Sequence, residues 1–193
     1  MITYNGFQFA AAPGTSHHWV QQALKCAQYE VVSGNAFQVH QLFPEEYTMA
    51  RLTCVRHPEA WLKVIYNEGR GLSISGVSMV ASLSDMAKDC GSFLEFVDDI
   101  LIRSPGVVGR CFSAYRATSV IREEDLPYSL LGFLTLIDEV PEGPFHRIVS
   151  LPVPGRNANK MRVLARQPEE LPLKLYRRLM DSEGDFCDIY EYH

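Results

Sequence analysis

Residues 9–19 read FAAAPGTSHHW and lead into VQQALKCA. A short apolar run stops at Pro13-Gly14. Thr15 and Ser16 then supply two hydroxyls, and His17 and His18 follow. From Trp19 onward the apolar residues Trp19, Ala23, Cys26 and Ala27 recur at helical spacing. The layout is a strand, a tight loop and a helix start. Backbone N–H groups in such a loop, helped by the partial positive charge of the helix start, bind phosphate oxygens. Gly14 permits close backbone approach. The loop contains no lysine, and G-x-x-x-x-G-K-[ST] is absent, which argues against a standard ATP-binding loop. On loop chemistry alone, an ordinary strand-to-helix turn stands as the alternative.

Working outward, GFQFAAA (6–12), FQVHQLF (37–43) and ARLTCVR (50–56) read as strands, and ATSVIREEDL (117–126) as a strand running into a turn. Helices are expected over 16–28 with Ser16 as N-cap, over 58–69 with Pro58 in the first turn, and over 92–103. In the last, Ser92 and Glu95 form a capping-box pattern. Pro127 opens a further helix, and the tail closes with one more. Residues 69–91, rich in Gly, Ser and Met, read as a mobile loop or lid. The basic stretch HRIVSLPVPGRNANK (146–160) reads as irregular. Short apolar strands alternating with helices predict an α/β fold with a mainly parallel sheet, in one domain covering 1–193. Ligands of such sheets sit beyond the carboxyl ends of the strands.

The composition narrows the function classes. Of 193 residues, 47% are hydrophobic, enough for a real core, and the formal net charge is −5, which argues against nucleic-acid or anionic-membrane binding. The five cysteines are odd in number and include no C-x-x-C, so reduced thiols and a cytoplasmic location are expected. No apolar stretch is long enough to span a bilayer, and no basic region precedes the first apolar run as in a signal peptide.

The expected strand ends carry chemistry. His40 ends the second, where a lone histidine is more often structural than catalytic. Arg56 ends the third, and a guanidinium on a buried strand needs an anionic partner, either a carboxylate or a phosphate held bidentately. The fourth carries Arg122, Glu123, Glu124 and Asp125, a cluster that reads as solvated.

Together the stretches APGTSHHWVQQAL, VHQLFP, LTCVRHPEAWLKVIY, SFLEFV and VIREEDLP follow the order and approximate spacing of the sulfotransferase family. The tail LYRRLMDSEGDFCDIYEY is also similar to that family's closing segment, so the resemblance spans about residues 7–192. It implies a three-layer α/β/α, P-loop-like sulfotransferase fold. It also implies transfer of a sulfuryl group from 3′-phosphoadenosine 5′-phosphosulfate (PAPS) to a hydroxyl or amine, leaving 3′-phosphoadenosine 5′-phosphate (PAP). Pro13, Gly14, Thr15, Ser16, His17, His18 and Trp19 match the family's 5′-phosphosulfate loop, usually P-K-S-G-T-T-W. Gly14 stands in the place of its lysine, and His17 and His18 in the place of its threonines. Arg56 matches the arginine that grips the 3′-phosphate, with Val64 where a serine usually follows. His40 matches the general base, with Gln38 in the place of a lysine. VIREEDL matches a structural strand–turn, and Arg156 and Lys160 match the basic loop that closes over the nucleotide.

The missing lysine matters, because losing one fixed cation at a leaving group costs about a hundred- to a thousand-fold in rate. A protonated His17 or His18, or a more distant Arg70, Arg156 or Lys160, would have to replace it. Two alternatives stand beside an active enzyme. One is a sulfotransferase-like nucleotide-binding protein with little catalysis, and the other is a P-loop-type kinase. No metal is expected, since no Asp/Glu/His cluster has ligand spacing. The expected partner is a small-molecule or glycan acceptor, and a homodimer completing the acceptor cleft is one arrangement the resemblance allows.

Overall fold

The computed structural model describes residues 1–35, 38–43, 49–69, 78–137, 140–153 and 170–192. The chain divides into two compact units. The first comprises Met1–Ala11, Thr15–Val55 and Tyr115–Leu164, and the second Ala12–Gly14, Arg56–Ala114 and Ala165–His193.

The first unit is built on a five-stranded sheet of β1 (Ile2–Tyr4), β2 (Phe7–Phe9), β3 (Val31–Ser33), β4 (Ala50–Val55) and β5 (Ser119–Arg122), in the order β3-β1-β2-β4-β5. β2, β4 and β5 run parallel, with Phe9 opposite Leu52 and Val55 opposite Arg122. β1 is antiparallel to both β2 and β3. The sheet is therefore mixed, where a mainly parallel one was expected. The cause is local: Asn5-Gly6, with Gly6 at φ +95°, folds β1 directly back on β2.

The expected strand over 37–43 is not one. Residues 38–41 turn, with Gln41 N–H donating to Gln38 O (2.9 Å), and Val39 O takes a single bond from Ala11 N–H (3.0 Å). Phe37 lies outside the described residues.

Helices α1 (His17–Cys26), α6 (Tyr128–Ile137) and α7 (Glu142–Val149) complete this unit. Trp19, Val20, Ala23 and Leu24 of α1 join Phe7, Phe9, Leu52, Ile121 and the α6 residues Leu130, Phe133 and Leu134 in one core. Each such large side chain contributes about 1.5–3 kcal/mol on full burial. Because α7 covers residues 146–149, the expected irregular stretch begins later.

The second unit is helical: α2 (Pro58–Gly69), α3 (Ser78–Asp89), α4 (Phe93–Arg103), α5 (Val107–Ser113), α8 (Leu173–Ser182) and α9 (Gly184–Tyr190). The expected loop or lid over 69–91 is instead helix α3 from residue 78, with Val80, Leu83 and Ala87 buried on one face. Residues 70–77 lie outside the described residues. Ser92 caps α4 by accepting from Glu95 N–H (3.1 Å), while Glu95 accepts from Gly91 N–H rather than from Ser92. The expected single closing helix is a pair, and Glu183 between α8 and α9 accepts from the Val108 and Gly109 N–H groups at the start of α5. All five cysteines are free thiols. No helix among the described residues is long and apolar enough to cross a membrane.

Candidate functional site

Three imidazoles meet in the first unit. The His17 and His18 ring centroids are 4.0 Å apart, and those of His17 and His40 are 4.7 Å apart. Their order in the chain explains the meeting. His17 and His18 open α1 just beyond the carboxyl end of β2, and the 38–41 turn is tied to that same end through Ala11. His40 Nδ1 donates to Ala11 O at 2.7 Å, and His17 Nδ1 donates to Thr15 O at 3.2 Å. A carbonyl only accepts, so each neutral ring carries its hydrogen on Nδ1 and keeps a lone pair on Nε2. Tyr115 braces the pair of segments, its hydroxyl lying 3.2 Å from Ala11 O and 3.4 Å from His40 O.

Burial makes both rings weak bases. Desolvation, reinforced by the neighbouring His18 and His40, pushes His17 down to about 4 against the bond to Thr15. Desolvation also lowers His40, and its bond to Ala11 partly offsets the fall. Both are neutral at pH 7 in the free protein, so His17 carries positive charge only with an anion beside it. Among the described residues no three His, Cys, Asp or Glu side chains are arranged to hold a metal ion.

The start of α1 already meets a carboxylate. Ser16 N–H donates to Glu123 Oε2 at 3.1 Å, and Glu123 is only 8% exposed. The expected hydroxyl cap by Ser16 is not made. Glu123 thus does what an anion does at a helix start, stabilising the first N–H groups from within the chain. The charge cluster read as solvated is split. Glu123 turns inward, while Arg122 pairs with the half-exposed Asp125 at 3.1 Å.

Pro13, Gly14 and Arg56 belong to the second unit. Arg56 follows directly on β4 and donates from Nη1 to Gly14 O at 3.2 Å. Trp61 Nε1 donates to Pro13 O at 2.8 Å, fixing the same bend to α2. Gly14 has φ +81°, and a Cβ there would lie 3.2 Å from Val64 and 3.3 Å from Ile65. The glycine is therefore required by packing on α2, a purpose the sequence did not disclose. Val64, in the place of the family's serine, is the residue it packs against.

Of the remaining expected residues, Thr15 and Trp19 are buried. Gln38, in the place of the second lysine, accepts Asn35 N–H at 3.0 Å. Arg70, Arg156 and Lys160 lie outside the described residues. Sequence reasoning missed Tyr115 and the inward turn of Glu123. It also singled out Arg56 as the unusual strand arginine, whereas Arg51 within β4 is the fully buried one, its guanidinium 5.3 Å from the Phe43 ring centroid. No protein-family model, curated protein or solved structure matches the chain.

Proposed function

We propose that the chain is a divergent sulfotransferase of the three-layer, P-loop-like type, moving a sulfuryl group from PAPS to an acceptor hydroxyl. The observation that carries this reading is His40: a neutral imidazole whose Nδ1 is tied to Ala11 O, leaving Nε2 free to take a proton. Two further features support it. Arg56 reaches the carbonyl of Gly14 in the same bend that the resemblance assigns to the 5′-phosphosulfate. His17, in contact with His40, becomes a cation when a dianion stands beside it, which partly replaces the missing lysine.

In this reading residues 15–18 hold the phosphosulfate, and the 3′-phosphate role of Arg56 is what the family resemblance implies. The donor supplies the sulfuryl group and leaves as PAP. His40 Nε2 accepts the proton of the acceptor hydroxyl as its oxygen bonds to sulfur and the bond from sulfur to the phosphate oxygen breaks. Ser16 N–H and Glu123 bear on the rate. A carboxylate on that N–H competes with an incoming anion, which favours a second reading as a nucleotide-binding protein with weak transfer.

The test is a thermal-shift comparison of PAP, ADP and ATP, since stabilisation follows mass action. PAP is expected to raise the melting temperature well above either of the others. Equal shifts for all three, or a magnesium-dependent preference for ATP, would overturn the reading in favour of a plain nucleotide-binding domain or a kinase.

A further inference from the structure

We infer that the groove beside His18, bounded by α1, β1 and β3, is a saccharide-binding site. The cavity has a volume of about 1000 Å³ and lies wholly within the first unit. That is the upper end of the range for small-molecule sites, enough for a short oligosaccharide.

The lining chemistry selects the ligand class. Four side-chain amides, Gln21, Gln22, Gln28 and Asn35, stand around the cavity, with Tyr29 among them. An amide offers a donor and an acceptor side by side, which matches the neighbouring hydroxyls of a sugar ring. A half-buried tyrosine offers a flat apolar face with a polar edge, which suits the ring's own two-sided character. Ile2, Tyr4 and Val31 add an apolar wall to the groove, against which the less polar face of a sugar ring can lie. Lys25 and Glu30 also border the groove and contribute opposite charges, so a neutral ligand is favoured over a strongly ionic one.

A second observation points the same way. Gln21 Nε2 is buried and finds no hydrogen-bond partner among the described residues. A buried amide N–H₂ left unpaired costs about 1–3 kcal/mol, a cost relieved when the Gln21 side chain turns its amide toward a ligand hydroxyl in the groove. Of the three imidazoles, His18 lines the groove; its ring is tilted by 41° against that of His17, and His17 in turn meets His40. Along this row of rings a sugar hydroxyl at His18 is separated from His40 by His17. Its role as the sulfuryl acceptor rests on the function proposed above, whereas sugar binding does not.

The test is an NMR titration of the full chain, without nucleotide, with neutral di- and trisaccharides of glucose, galactose and N-acetylglucosamine. At least one is expected to shift the side-chain amide signals of Gln21, Gln22 and Gln28. Replacing the exposed Gln22 and Gln28 together by alanine is expected to weaken that binding about tenfold or more, with the fold retained by the backbone spectrum. No shift from any of these sugars, an unchanged affinity in the double variant, or preferential binding of 4-nitrophenol at the same signals would overturn the proposal. Sugar binding in a chain that ignores PAP would leave the saccharide site standing and sink the transfer reading. PAP binding without sugar binding would do the reverse.

Discussion

The buried imidazole at position 17 makes a quantitative demand on stability. In the unfolded chain His17 takes its proton near the ordinary value of 6.5, and in the folded chain only at about 4. That gap corresponds to about 3 kcal/mol, and screening at a ring that stays partly exposed reduces it to about 1–2 kcal/mol. The sign follows from proton counts. Between the two values the unfolded state binds more protons, so the contribution is present above 6.5 and is lost as pH falls toward 4. Urea unfolding of the parent chain and of His17→Gln at about pH 7.5 and about pH 4.5 isolates it, because titrations common to both cancel in the difference. The parent chain is expected to lose about 1–2 kcal/mol more than the variant over that interval. Equal losses would refute the claim that desolvation governs this ring. The same property reports on the ligand. A dianion beside His17 raises its proton affinity, so PAP binding at about pH 6 is expected to take up a fraction of a proton. Calorimetry in two buffers of different ionisation enthalpy measures that uptake, and none at all would place the phosphates away from His17.

Four substitutions probe the rest of the arrangement. His40→Ala is expected to lower kcat by about a hundred- to ten-thousand-fold with PAP affinity nearly unchanged, as read by steady-state kinetics and calorimetry; parallel loss of both would remove its role as base. Arg56→Ala is expected to weaken PAP about tenfold to a hundredfold while leaving ADP much less affected, which competitive binding resolves. Glu123→Gln keeps an oxygen for Ser16 N–H but removes its charge, so PAP affinity is expected to rise about tenfold; an unchanged value would mean that the carboxylate does not compete with the nucleotide. Gly14→Ala forces a Cβ to within 3.2 Å of Val64 at a positive φ and is expected to cost about 1–3 kcal/mol in urea unfolding.

What could be read from the sequence was what local pattern carries. The helical spacing of Trp19, Ala23 and Cys26 located α1, and Pro58 and Ser92 marked the starts of α2 and α4 closely. The hairpin was equally legible and was missed. Asn5-Gly6 between apolar residues is a strong short-range turn signal for the antiparallel pair, whereas the apolar run after it carries only the second strand. Alternation in β5 also held unread information. Ile121 is fully buried and Arg122 is still extended, so Glu123, which opens the 3-10 turn directly after β5, leaves the strand on the buried side. Reading E-E-D as a solvated cluster let composition override parity. β4 shows no such alternation, because Leu52 to Val55 are buried without a break. Which of Arg51 and Arg56 lies inside is then decided by what surrounds the strand, such as the Phe43 ring over Arg51.

The chemistry of the histidines lay further out of reach, and for a specific reason. The side chains that define the site are visible in the sequence, but their proton positions are set by main-chain carbonyls. Ala11 O fixes His40 across 29 positions of chain, and Thr15 O fixes His17. Every residue has such a carbonyl, so no sequence pattern marks the one that will accept. The same holds for the Ser16 N–H taken by Glu123 from 107 positions away. A motif can therefore nominate an imidazole or a phosphate-binding loop, but whether the first is a base with its lone pair outward, and whether the second is already occupied, depends on backbone groups that only the fold brings together. Here those two facts pull in opposite directions, the free Nε2 of His40 toward catalysis and the carboxylate at Ser16 against anion binding. The Glu123→Gln variant weighs them in a single measurement: faster transfer together with tighter PAP would identify the carboxylate as a brake on a competent site, whereas tighter PAP without transfer would leave a nucleotide-binding protein.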